Sequence, residues 1–123
     1  FHPLVKNIEP LGFFDYVNLQ MNSFCVLSDS GTISEESSML SFPAISIRTS
    51  TERPEAIDAG SIVLGGIKVN NVMNSINTCI STFEKDIALP SEYKTKNVSK
   101  KVIRLIQSFT AIVDKEIWNK NED

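Results

Sequence analysis

The sequence predicts an α/β fold built on a parallel sheet. Short apolar runs, Phe24-Cys25-Val26-Leu27, Ala44 to Ile47 and Ser61 to Leu64, recur along the chain. Stretches with helical spacing lie between them, and polar turns rich in Ser, Gly and Pro punctuate them. Strands that alternate with helices dictate a parallel sheet with right-handed crossovers. The run before Ser28 is continuous rather than alternating, as a strand covered on both faces requires.

Taken in order, Phe1 to Pro10 holds one apolar pair, Leu4-Val5, ahead of Asn7-Ile8-Glu9-Pro10. It reads as a strand near Val5 to Glu9, stopped by Pro10 and Gly12. Phe13, Tyr16, Val17, Gln20 and Met21 fall at near-helical intervals and predict a short helix over 13–22. Phe24 to Ser28 is the next strand, Thr32 to Leu40 a helix, and Phe42-Pro43 ends the connection to a strand over 44–47. A short helix over Glu52 to Ala59 takes Thr51 as cap, Pro54 in its first turn and Gly60 at its end. Ser61 to Leu64 makes a fourth strand, closed by Gly65-Gly66. Val69, Val72, Met73, Ile76, Ile80 and Phe83 mark a further helix, and polar Lys85 to Asn97, with Pro90 in it, reads as a loop. Val98 to Trp118 is a long amphipathic helix through Val102, Leu105, Ile106, Phe109, Ile112, Val113 and Ile117. The polar end, 119–123, is expected to fray.

The 123 residues amount to one domain's worth, and 41% apolar with 22% charged residues suits a globular domain. A net charge of −3 argues against a nucleic-acid partner, which needs a basic face. No apolar run approaches the roughly 20 residues of a membrane span. Phe1 is no initiator, so the chain reads as cut or processed. Cys25, in an apolar strand, and Cys79, on an apolar helix face, read as buried free thiols, which fits the cytoplasm. No Cys/His spacing suits a metal, no cofactor box is present, and His2 reads as a terminal residue.

Chemistry concentrates at Ser28-Asp29-Ser30-Gly31-Thr32. Gly31 allows a turn that a larger residue would resist, and Asp29 or Ser30 is the natural N-cap of the helix that follows. The first amides of that helix then form an anion seat, to which Ser30, Gly31 and Thr32 offer a hydroxyl and backbone N–H groups. The residues alone leave a plain capping turn equally open. Arg48, Glu52, Arg53 and Glu55 follow the next strand, so both turns lie at carboxyl strand ends, where α/β sheets bind ligands.

Ser-Asp-Ser-Gly-x-x-x-Glu-Glu, a hydrophobic strand, then Arg-x-x-Thr-Glu-Arg-Pro-Glu-Ala resembles the C-terminal domain of the non-hydrolysing UDP-N-acetylglucosamine 2-epimerases. The likeness runs from about Ile8 to Ile67. It implies a partial Rossmann-like parallel sheet with helices on both faces, part of the C-terminal half of a glycosyltransferase-B-type fold. On that likeness, 1–123 is a single UDP-binding domain fragment, with sheet and helices to about 97, the long helix over 98–118 and the N-terminal catalytic domain absent. In the strand order 3-2-1-4-5-6, the strand near Ile8 would not neighbour the one at Val26. Either it docks at a new position or a second chain fills the gap, giving a homodimer or a strand-exchanged oligomer.

The resemblance assigns UDP phosphates to Ser30, Gly31 and Thr32 and both ribose hydroxyls to Glu36, one and a half turns along the helix. It gives a bidentate phosphate contact to Arg53 and a face against uracil to Tyr16. Arg48 is left to brace the loop through Glu52 or Glu55, and Glu35 to the helix dipole. Leu11 stands where the family often has Gln. Thr32 replaces a common second glycine, and Ser-Gly-Thr resembles the branch that makes UDP-N-acetyl-L-fucosamine, which leaves the sugar open. The implied parent is a cytoplasmic isomerase that inverts C2 of a UDP-N-acetylhexosamine for bacterial surface polysaccharide, with proton-transfer groups in the absent domain and the fragment inactive alone. A glycosyltransferase fragment, which the Thr-Glu-Arg-Pro-Glu block disfavours, and a non-catalytic binding or assembly module are the alternatives.

Overall fold

The computed structural model describes residues 2–84 and 89–120. They fall into two compact units, 1–93 and 94–123. The first runs α1 (Phe13–Met21), β1 (Val26–Ser28), α2 (Ile33–Leu40), β2 (Ala44–Ser46), α3 (Pro54–Asp58), β3 (Val63–Leu64) and α4 (Val69–Thr82). A 3₁₀ turn follows at Ser91–Lys94, and α5 (Val98–Glu116) is the one α-helix of the second unit among the described residues.

The three strands lie in the order β1-β2-β3, all parallel, with Val26 beside Ala44 and Ile45 beside Val63. All carboxyl ends therefore share one edge of the sheet. Two backbone bonds extend the ladder past the strands, Ile47 N to Ser28 O at 2.9 Å and Gly65 N to Ser46 O at 2.8 Å. Those bonds hold the Ser28, Ile47 and Gly65 segments side by side.

Side chains alternate across a strand, and the two faces of β2 meet different helices. Ala44 joins Ile33, Phe42, Ala56 and Ile62 in a buried cluster, which places α2 and α3 on its side. Ile45, fully buried, points the other way, towards Gly65 and Ser75, and Cys79 Sγ on α4 donates to Ala44 O at 3.7 Å. Helices thus cover both faces, as the alternating sequence dictates. Pro54 opens α3 at its first position, where the missing N–H costs nothing, and Gly60 beyond its end takes φ +71°, a conformation that side chains resist.

Four expectations need correction. Residues 5–9 form no strand; Leu4, Val5 and Ile8 stand exposed, and Val5 N instead donates to His2 O in a turn. A two-residue apolar pair followed by Lys6 and Asn7 cannot bury a strand face, and among the described residues no strand pairs with it. The sheet therefore has three strands rather than four, and among the described residues β1 has no strand on its outer side. The cap of α2 is Thr32, already helical in conformation, rather than Asp29 or Ser30. The loop read over Lys85 to Asn97 is interrupted by the 3₁₀ turn at Ser91–Lys94, and its stretch 85–88 lies outside the described residues, as does 121–123 of the polar end.

Candidate functional site

The turn after β1 is knit by its own hydroxyls. Ser28 Oγ accepts from Ser30 N at 3.1 Å, and Ser30 Oγ lies 2.9 Å from Thr32 Oγ1. Ser34 N and Glu36 N return to the Gly31 and Thr32 carbonyls. Among the described residues, no hydrogen bond engages the amides of Gly31, Thr32 or Ile33. These are the orphan donors of a helix start, and they sit at the sheet edge where the strands end.

Gly31 does not take the left-handed backbone expected of a turn glycine; among the described glycines only Gly60 and Gly66 have positive φ. Its bareness matters for what stands above it. A Cβ placed there would meet Arg48 Nη1 at 3.9 Å and Arg53 Nη2 at 4.0 Å. Two guanidinium groups from the segment after β2 therefore converge on the turn after β1. The parallel register explains it, since adjacent strands deliver their following segments to adjacent places.

Each arginine is held by acids. Arg53 Nε donates to Glu35 Oε1 at 2.6 Å, and its Nη1 reaches Glu52 O at 3.4 Å and Glu52 Oε2 at 3.8 Å. The hydrogen bond and the charge of Glu35 hold the Arg53 guanidinium more firmly protonated than usual. Arg48 Nη2 lies 3.8 Å from Glu52 Oε1, so the expected brace runs to Glu52. Glu55 serves elsewhere and accepts from Tyr93 Oη at 2.9 Å. Thr51 Oγ1 takes the Arg53 N–H at 3.0 Å, which steadies the approach to α3.

Glu36 lies apart from this group, on the side of α2 that faces α1. Its Oε2 accepts from Gln20 Nε2 at 2.6 Å. Burial first, and then the charge of Glu36, push the Tyr16 phenol above its ordinary range. Tyr16 also lines an apolar cleft of about 320 Å³ with Ile8, Leu11, Leu19, Gln20 and Val26. So the structure gathers Ser30, Gly31, Thr32 and Arg53 at one point, and Tyr16 and Glu36 at a second.

Sequence reasoning missed three contributors. Glu35, left to the helix dipole, is the main partner of Arg53, and its Oε2 is buried with no hydrogen-bond partner among the described residues. Arg48 reaches the turn as well as Glu52. Gln20, assigned only to a helix pattern, is buried and bonded to Glu36. The placing of two loops after neighbouring parallel strands is the one signal that could have paired Glu35 with an arginine.

A separate polar cavity of about 470 Å³ adjoins the site through Arg48, lined also by Thr49, Gly65, Gly66, Asn71 and Ser75. Ser30, Gly31 and Thr32 are not among the residues that line it. Among the described residues, no group of three or more His, Cys, Asp or Glu could hold a metal ion, and no helix is long and apolar enough to cross a membrane.

The family model described as UDP-N-acetylglucosamine 2-epimerase matches residues 1–107. The UDP-N-acetylglucosamine 2-epimerase of Neisseria meningitidis serogroup A is 35% identical over 105 residues, which cover 83% of this chain and 28% of that protein. The structure of the Rickettsia bellii UDP-N-acetylglucosamine 2-epimerase superposes with a TM-score of 0.77 at 38% identity, over 92% of this chain and 32% of that one. That of the Methanocaldococcus jannaschii enzyme in complex with UDP-GlcNAc and UDP gives 0.70 at 26% identity, over 82% and 27%. The chain thus spans less than a third of these relatives.

Proposed function

The chain belongs to the UDP-N-acetylglucosamine 2-epimerase family, and from that premise we propose that it is the C-terminal part that grips UDP in such an enzyme. The observation that carries the reading is the convergence of Arg48 and Arg53 over Gly31, at a turn whose Gly31, Thr32 and Ile33 amides are unengaged among the described residues. An anion there meets two cations and the positive end of α2. In the parent reaction a base removes the C2 proton of a UDP-N-acetylhexosamine. The C–H electron pair becomes a C1=C2 double bond, and the C1–O pair leaves with UDP. Re-addition of UDP and a proton gives the other C2 configuration.

In this scheme the chain's residues hold the departing diphosphate as its negative charge grows, which is where fixed donors act most strongly. Ser30, Gly31, Thr32 and Arg53 take the phosphates. Tyr16, in the apolar cleft with Leu11, takes the uracil, and Glu36 takes the ribose hydroxyls. Proton transfer belongs to the remainder of the parent, so the chain alone does not epimerise. The parent works in the cytoplasm on precursors of bacterial surface polysaccharide, as a homodimer or strand-exchanged oligomer in which further polypeptide pairs with the outer edge of β1.

Calorimetry with UDP on the 123-residue chain is the test. Binding is expected to be weak, since half the cleft is lacking, and Arg53→Ala should abolish it. No heat at millimolar UDP, or full binding by Arg53→Ala, overturns the reading. Interconversion of the two UDP-sugars by the chain alone overturns its inactivity.

A further inference from the structure

Of the three guanidinium nitrogens of Arg53, two are already occupied. Nε is bonded to Glu35 at 2.6 Å, and Nη1 lies against Glu52. Nη2 has no hydrogen bond among the described residues, and it is the nitrogen that stands 4.0 Å from the Cβ position of Gly31. Of the bidentate grips open to an arginine, the one through the Nε edge is therefore closed, because that edge is spent on Glu35. Building on the UDP-binding reading, we propose that Glu35 is the positioning residue of the site, holding Arg53 so that it meets a diphosphate end-on through Nη2.

The environment of Glu35 favours this over a solvated helix acid. Its side chain is 26% exposed, and Oε2 is buried with no hydrogen-bond partner among the described residues. A partly buried carboxylate at 2.6 Å is bonded to Arg53 directly, and a charge-assisted contact of this length fixes the orientation of the guanidinium. Arginine has a long side chain with several rotamers, and fixing it before the ligand arrives removes an ordering cost from binding. The geometry also opposes the rival view, that Glu35 competes with the ligand for Arg53. A competitor would cover the nitrogen nearest the turn, Nη2, whereas Glu35 takes Nε.

The two views predict opposite results. NMR of the Arg53 Nε–Hε group, on the whole chain without ligand, reads the pairing directly; UDP calorimetry reads its consequence. Glu35→Ala should move the Hε signal to that of a free arginine and weaken UDP about fivefold to tenfold. Glu35→Gln, which still accepts from Nε, should keep the Hε signal displaced and bind UDP within about threefold of the parent chain. Unchanged or tighter binding by Glu35→Ala overturns the proposal and leaves the UDP site standing. An equal loss in both variants also overturns it, since charge and not orientation would then be at work. No UDP binding by the parent chain, with the Hε signal still displaced, overturns the UDP reading itself and the proposal with it.

Discussion

Gln20 Nε2 on α1 donates to Glu36 Oε2 on α2 at 2.6 Å, and Gln20 is only 3% exposed. This bond joins the helix that carries Tyr16 to the helix that begins at the Ser30 turn. Gln20→Ala leaves the half-buried Glu36 carboxylate without its donor. Urea unfolding should show a loss of about 1–3 kcal/mol. UDP calorimetry on the same variant should show weaker binding, because Glu36 and Tyr16 lose their mutual placement.

Gly31→Ala separates conformation from access. The backbone there is not left-handed, so alanine fits, and stability should hold or rise by about 0.4–1 kcal/mol. The added methyl would stand 3.9 Å and 4.0 Å from the two arginines, in the space a bound anion needs. Thermal unfolding should therefore be unchanged or higher while UDP affinity falls. Loss of stability with affinity intact would contradict the account of this turn.

Gly65→Ala tests packing instead. A Cβ at Gly65 would come within 2.7 Å of Ile45 Cγ2 and 3.4 Å of Ser75 Oγ. Ile45 is fully buried in the middle strand and has nowhere to retreat. Overpacking of this kind should cost about 1–3 kcal/mol, read as a lower midpoint in urea.

Cys25 supplies a pH dependence. Burial, and then neighbouring Cys79, raise its thiol from 9.0 to about 11. Between those values the unfolded chain has lost the proton and the folded chain retains it. Stability is thus fully present below pH 9 and falls as pH rises towards 11. The melting temperature should drop across that window, and Cys25→Ala should flatten the drop. Alkylation of Cys25 by iodoacetamide should keep accelerating up to about pH 11, since only the thiolate reacts.

Much of this was legible in the sequence because local signals agreed with one another. The apolar run before Ser28, the Pro54 and Gly60 punctuation and the spacing from Val69 onward each specify one element, and each formed. The strand near Ile8 failed because strand formation needs a partner, and residues 5–9 have none. The site was legible by residue type but not by partner. Glu35 and Glu36 are adjacent, yet on a helix they point about 100° apart. One meets Arg53, eighteen positions away, and the other meets Gln20, sixteen positions before it. No local pattern encodes which carboxylate turns which way; the order and direction of the strands do.

The bare side of β1 has a consequence for the chain in concentrated solution. Val26 N is bonded to Pro43 O and Ser28 O accepts from Ile47 N, so Leu27 between them turns its own peptide groups outward. Leu27 is 46% exposed, and Phe24 nearby is 74% exposed. Deuterium should enter at Leu27 well before it enters at Val26 or Ile47. The same greasy, hydrogen-bond-hungry rim invites any extended peptide to lie along it, so crowding should make the protein adhere rim to rim, and a charged replacement such as Leu27→Lys should keep it dispersed.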